Sequence, residues 1–286
     1  MKALYELLAP AKLNLFLHVV GKRDDGYHLL QSVFVAVDWY DTLHLELRQD
    51  GQLRRHDLTT TLPADDLCLR AARLLQQASS CGFGADISIT KQIPSGAGMG
   101  GGSSDAATVL IGLNRLWKLN WTQAQLLPLA LQLGADVPFF LGDGPAWVEG
   151  VGERLTPIVV PAQRYAVIKP ADSLPTAAIF ASPHLQRSNS QAIVSGSFAD
   201  SSDYRNDLQA AAEATSLQVH QAIQLLRQVF GNSRMTGSGS AVFAKIGSDA
   251  RPEATTLEQF LKLPEHWEGR ICRSLESMPL AGWIPG

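Results

Sequence analysis

A chain of 286 residues that is 45% hydrophobic can bury a large core, and its length predicts two domains. Its formal charge of -3, from 24 basic and 27 acidic residues, excludes a broad basic face for nucleic acid or an anionic membrane, so an anionic ligand must be held locally. No apolar run reaches the roughly 18 to 20 residues of a membrane span, and the N-terminus lacks signal-peptide features. Cys68, Cys81 and Cys272 are odd in number and far apart, which fits reduced thiols rather than a disulfide framework or zinc site; the expected location is the cytoplasm.

In AKLNLFLHVV, Leu13, Leu15, Leu17 and Val19 alternate with Lys12, Asn14, Phe16 and His18. This period of two predicts a strand with Lys12 and Asn14 on one face. DTLHLELR alternates through Leu43, Leu45 and Leu47, and ADISITK through Ala85, Ile87 and Ile89. Between them, Asp65 or Asp66 is a candidate cap for a helix with Leu67, Ala71, Leu74, Leu75 and Ala78 at helical spacing. PSGAGMGGGSSDAA (94–107) places five glycines within seven positions, and Ala106, Ala107, Leu110, Leu113 and Trp117 form the next helical stripe. Thr122 and Gln125 have capping-box spacing for a third helix ending near Gly134, with Pro138 just beyond.

The pattern restarts near residue 160. RYAVIKP and SAVFAKI read as buried strands, with GRICRSL a third candidate. The serine-rich stretch 186–206 reads as a long polar loop, followed by one long helix with Val219, Ala222, Leu225, Leu226, Val229 and Phe230 inward. The elements lack the regular rhythm of a doubly wound parallel sheet, which predicts two α+β domains, 1–160 and 161–286.

The glycine run thus lies between a strand and a helix. Such a turn brings backbone N–H groups and the positive end of a helix dipole to one point, and a phosphate chain can lie against bare backbone. A Walker A loop would end in Gly-Lys-Ser/Thr, whereas here the glycines run directly into Ser103. Gly96, Gly98 and Gly101 match G-x-G-x-x-G, but no acidic residue stands about twenty residues on, which weakens a dinucleotide reading. Protein-kinase signatures are absent.

PSGAGMGGGSSDAA resembles the phosphate loop of the GHMP kinase superfamily of small-molecule kinases. PAKLNLFLHVVGKRDDGYHLLQSVF, LGADVPFFL (133–141) and RMTGSGSAVFA (234–244) extend the resemblance over nearly the whole chain. They are similar to the branch whose acceptor is a cytidine-diphosphate-linked methylerythritol. The resemblance implies an N-terminal ribosomal-protein-S5-domain-2-like nucleotide domain and a C-terminal ferredoxin-like α+β domain. It also implies ATP as phosphoryl donor, Mg²⁺, and small-molecule rather than nucleic-acid or membrane partners.

Residue by residue, the resemblance implies Asp136 as general base and Lys12 as the lysine that accompanies it. Pro94, Ser95, Gly96, Ala97, Gly98, Met99, Gly100, Gly101, Gly102, Ser103 and Ser104 would hold ATP. Tyr27 and Phe180 would stack on cytosine, His28 would read its edge, and Asn14 and Thr176 would make further substrate contacts. Ser103 or Ser104 offers a hydroxyl to Mg²⁺ or phosphate, although helix capping accounts for either serine equally; the metal ligands stay unassigned. Where the family commonly has an asparagine that helps hold adenine, this chain has Asp66, which when ionised accepts hydrogen bonds but donates none. A kinase for another small alcohol, a nicotinamide-dependent oxidoreductase and a non-catalytic nucleotide-binding module are the alternatives.

Overall fold

The computed structural model describes residues 1–186, 204–247, 256–257 and 260–285, so 187–203 of the predicted polar loop lie outside the described residues. Two long strands, β1 (Ala3–Lys22) and β2 (His28–Arg48), pair antiparallel and form the spine of the first sheet. The remaining strands of that sheet are β3 (Leu53–Asp57), β4 (Gly84–Thr90), β5 (Ala146–Gly150) and β6 (Arg154–Pro157). The order is β3-β4-β2-β5-β6, with β1 also on β2. The opening of β2 pairs with β5 (Leu30 opposite Gly150) and its end with β4 (Arg48 opposite Gly84), so one strand joins both halves of the sheet.

Helices α1 (Leu67–Ser79), α2 (Gly101–Leu116), α3 (Gln123–Leu133) and α4 (Val137–Phe140) accompany this sheet. Asp66 is the cap of α1, its carboxylate accepting from the Cys68 and Leu69 N–H groups, while Asp65 instead pairs with Arg73 at the surface. Thr122 and Gln125 form the predicted capping box of α3, and Gly134 ends that helix. Leu43, Leu45, Ile87, Ile89, Leu110, Leu113 and Phe139 fill the core between helices and sheet. Helix α2 is buried over most of its circumference, which is why its apolar residues extend beyond a single stripe.

The second sheet contains β7 (Arg164–Lys169), β8 (Arg234–Met235), β9 (Val242–Lys245) and β10 (Glu268–Arg273), in the order β10-β7-β9-β8. Its three longer strands match the three predicted in this half. A short α5 (Thr176–Phe180) precedes the undescribed stretch, and α6 (Gln209–Thr215) and α7 (Leu217–Phe230) follow it. The long helix expected here is α7; the short α6 before it was not expected, and Ser216 separates the two, ending α6 in extended backbone and capping α7 through its hydroxyl. In α7 the buried set is Val219, Ala222, Ile223 and Leu226, at the spacing i, i+3, i+4, i+7; Val229 flanks that stripe and is 39% exposed.

A separate cluster joins the two sheets through Leu13, Val35, Phe16, Tyr165, Val167 and Phe243. It changes the two-faced reading of β1: Phe16 is fully buried, and Lys12, Asn14 and His18 on the supposedly polar face are buried as well. The strand is covered on both sides, and register shifts between Asn14 and Leu17 and elsewhere re-aim its side chains.

Candidate active site

The glycine-rich loop runs from β4 into α2 and has positive φ at Gly96, Gly98 and Gly100. It packs back to back on a second glycine loop at 236–240: the Ser240 N–H donates to the Gly96 carbonyl at 3.2 Å and the Ala241 N–H to that of Ala97 at 3.1 Å. Ala97 and Met99, set between the glycines, are buried in the inter-sheet core and anchor the loop. Gly96, Gly98, Gly100 and Ser103 line a cavity of about 700 Å³. Helix α2 begins there at Gly101 with no side chain capping it, so its positive end is available to an anion. Of the two serines, Ser103 lines the cavity, whereas Ser104 is fully buried with its hydroxyl unpartnered among the described residues.

Lys12 and Asp136 meet on the same cavity wall, Nζ 3.4 Å from Oδ2. Lys12 is 3% exposed and Asp136 33%, so the ammonium is fixed in the protein while the carboxylate reaches open space. The Lys12 Nζ also donates to Asn14 Oδ1 at 2.6 Å and lies 4.6 Å from the centre of the Phe34 ring. Its backbone N–H donates to the Met99 carbonyl at 2.8 Å, which ties β1 to the glycine loop. Asp136 stands between the end of α3 and the four-residue α4, where Gly134 and Pro138 turn the chain.

Tyr27, His28, Phe180, Thr176 and Asn14 line the cavity as well. Tyr27 sits in the turn between β1 and β2 and is 64% exposed, a bare aromatic face. The His28 and Phe180 rings are stacked, 5.1 Å apart at 25°. Thr176 Oγ1 lies 2.8 Å from Ser238 Oγ of the second glycine loop. Asp66 is not among the cavity-lining residues: besides capping α1, its carboxylate pairs with Arg55 at 2.6 Å.

Beneath the glycine loop lies a buried triad that the sequence reading missed. Lys91, which ends β4's approach to the loop, pairs with Asp41 of β2 and at 2.5 Å with Asp105 of α2. Asp41 also accepts the N–H groups of Gln92 (2.6 Å) and Ile93 (2.8 Å), which fixes the chain entering the loop. Burial pushes the Asp105 carboxyl up to about 8, with Lys91 opposing and Asp41 reinforcing the rise. Burial pulls Lys91 down, but the two carboxylates outweigh it and leave the ammonium raised.

Between the ordinary carboxylate range and about pH 8, the folded chain therefore keeps a proton on Asp105 that the unfolded chain has lost. That contribution is fully present below the unfolded value and disappears as pH rises through about 8. Asp105→Asn is expected to flatten this dependence, so that wild type loses stability relative to the variant between pH 5 and 8. Urea unfolding of both proteins across that range is the measurement, and parallel curves would contradict it.

The residues 66–144 match the model of the GHMP kinases N terminal domain. A solved mevalonate kinase from Methanococcus jannaschii shares the fold, with a TM-score of 0.68 over 96% of this chain and 98% of that one at 12% identity. This is an α+β chain of the GHMP kinase fold, a class of small-molecule kinases. A crystal structure of 4-(cytidine 5'-diphospho)-2C-methyl-D-erythritol kinase is more alike in sequence: 31% identity, TM-score 0.72, covering 93% of this chain and 98% of that chain. The 4-diphosphocytidyl-2-C-methyl-D-erythritol kinase of Methylibium petroleiphilum is 59% identical over 284 residues, covering 99% of both chains. The protein of the same name from Variovorax paradoxus is 52% identical, again over 99% of both. The chain belongs to the 4-diphosphocytidyl-2-C-methyl-D-erythritol kinase family.

Proposed function

We propose that the protein transfers the γ-phosphoryl group of ATP to the 2-hydroxyl of 4-(cytidine 5'-diphospho)-2-C-methyl-D-erythritol. The products are the 2-phosphate and ADP, in the non-mevalonate route to isopentenyl diphosphate. The observation that carries the reading is the Lys12–Asp136 pair, at 3.4 Å, on a wall shared with bare glycine backbone. Phosphoryl transfer asks a protein for alignment, charge neutralisation and a base for the hydroxyl proton. Asp136 accepts the proton of the 2-hydroxyl as its oxygen bonds to the γ-phosphorus and the bond to ADP breaks. Lys12 stabilises the charge that develops on the acceptor oxygen and the transferring group. The loop 94–104, with Ala97 and Met99 as anchors, holds the ATP phosphates against backbone N–H groups and the start of α2.

Among the described residues no group of three or more acidic, histidine or cysteine side chains is arranged to hold a metal ion. That fits Mg²⁺ arriving with the nucleotide, since this ion keeps several waters and is commonly shared between phosphates and one or two protein oxygens. Ser103 is the cavity-facing hydroxyl suited to that contact. When bound, the ion neutralises phosphate charge. We place the domain boundary near residue 160, between β6 and β7, and the enzyme in the cytoplasm; among the described residues no helix is long and apolar enough to cross a membrane.

ADP release from ATP and Mg²⁺ is expected with the cytidylylated methylerythritol and not with homoserine or mevalonate. Equal or faster release with either of those would overturn the assignment. Tyr27→Ala is expected to raise KM for the cytidylyl substrate by about 5- to 100-fold, the loss of one stacking face, with KM for ATP nearly unchanged. Equal weakening of both substrates would remove Tyr27 from the stacking role.

A further inference from the structure

Asn14 sits at the junction of three elements distant in sequence. Its Oδ1 accepts from Lys12 Nζ at 2.6 Å, its Nδ2 donates to Ser32 Oγ of β2 at 3.0 Å, and its backbone N–H donates to Thr236 Oγ1 at 2.9 Å. Thr236 Oγ1 in turn lies 3.3 Å from Asn14 Oδ1 as a donor. Asn14 and its three partners are all interior, Asn14 and Ser32 at 1% exposure, Thr236 at 0% and Lys12 at 3%.

The two ends of a carboxamide are nearly equal in shape, so only its partners decide which way it faces. Here every partner agrees. The ammonium of Lys12 has protons only to give and requires the oxygen. Ser32 gives its own proton to the Phe16 carbonyl at 2.5 Å, so toward Asn14 it has lone pairs to offer and requires the nitrogen. Thr236 uses one lone pair on the Asn14 N–H and turns its proton toward the oxygen. An amide rotated by half a turn would present N–H groups to the ammonium and an oxygen to the lone pairs of Ser32, whose proton is already committed to Phe16.

We propose that Ser32 and Thr236 are positioning residues that lock the Asn14 amide and thereby aim the Lys12 ammonium at Asp136. This rests on the reading of Lys12 and Asp136 as the catalytic pair. Neither hydroxyl needs to touch the reacting atoms. Thr236 also stands at the head of the second glycine loop, its carbonyl facing Gly98, so the same residue registers the lysine against the phosphate cradle.

Steady-state kinetics on Ser32→Ala, Thr236→Val and Thr236→Ser, with ATP and the cytidylylated methylerythritol, test this. Each of the first two is expected to lower kcat about tenfold or more with KM for ATP within about twofold, the loss of a buried hydrogen bond next to a charge. Thr236→Ser keeps the hydroxyl and is expected to retain at least about half the wild-type kcat. Should Ser32→Ala not fold, the Thr236 pair decides alone. Turnover within about twofold of wild type in both hydroxyl-deleting variants overturns the proposal. So does a Thr236→Ser protein as impaired as Thr236→Val, because the loss then follows packing and not the hydroxyl. Lys12→Ala and Asp136→Asn are measured alongside. If they lose turnover while the hydroxyl-deleting variants do not, the positioning idea fails alone; if they too keep wild-type turnover, the catalytic pair fails and the proposal with it.

Discussion

Asp136→Asn is expected to lower kcat by about 10²- to 10⁴-fold, the usual contribution of a general base, while ATP affinity stays within a few fold of wild type. Asparagine keeps the shape of the side chain and an oxygen for Lys12, but it cannot carry off the acceptor's proton. The nucleotide seat is built elsewhere, from the backbone of 96–100 and the start of α2, and Lys12 keeps its 2.6 Å bond to Asn14 when Asp136 changes. Loss confined to kcat is therefore the signature of an interaction made in the transition state. Single-turnover mixing of enzyme, ATP and acceptor reads the chemical step directly, and ATP titration without acceptor reads binding. Near-normal turnover would take Asp136 out of the role.

The same pair shows which part of the site was legible beforehand. The glycine loop announces itself because backbone freedom between a strand and a helix needs a reason, and the flanking periodicities are strong in this chain. The helix caps at Asp66, Thr122 and Gly134 were legible because capping is local chemistry, read within a few residues. By spacing alone Lys12 is one polar position of an alternating strand and Asp136 a residue between Gly134 and Pro138; only the family resemblance joins them.

What stayed hidden depends on tertiary burial of polar groups. Period-two alternation assigns polar residues to solvent, whereas β1 lies between a helical layer and a second sheet and buries Lys12, Asn14 and His18. Asp41, Lys91 and Asp105 are separated by 50 and 14 residues and have no motif in common. Each is an ordinary charge in sequence, and only the pairing of β2 with β4, with α2 packed on β2, makes a buried triad. Ser32 and Thr236 were invisible for the same reason, although both stand in stretches that carry the family resemblance. At Asp66 the cap was readable, but not the Arg55 contact that occupies the carboxylate.

The five glycines of the loop are not interchangeable, and this yields the largest expected effect on stability. Gly98 has φ +71, and a methyl group there would lie 2.5 Å from the Thr236 carbonyl and 3.0 Å from the Gly239 backbone. Gly98→Ala thus combines left-handed backbone with overlap onto another segment's main chain, which cannot rotate aside. The expected loss is about 2 to 5 kcal/mol, with ATP affinity falling in parallel because the two loops separate. Gly102 lies in the first turn of α2, with helical backbone, and its added methyl would meet Leu67 Cδ1 at an ordinary 3.5 Å. Gly102→Ala is expected to leave stability unchanged or raise it by up to about 1 kcal/mol, since alanine loses less backbone entropy on entering a helix. Urea unfolding of both variants separates the cases. Equal destabilisation would mean that the loop's composition, and not its contact with the 236–240 segment, sets the requirement for glycine. A loss confined to Gly98→Ala would tie the phosphate seat to the second half of the chain, making the cradle a joint product of both sheets.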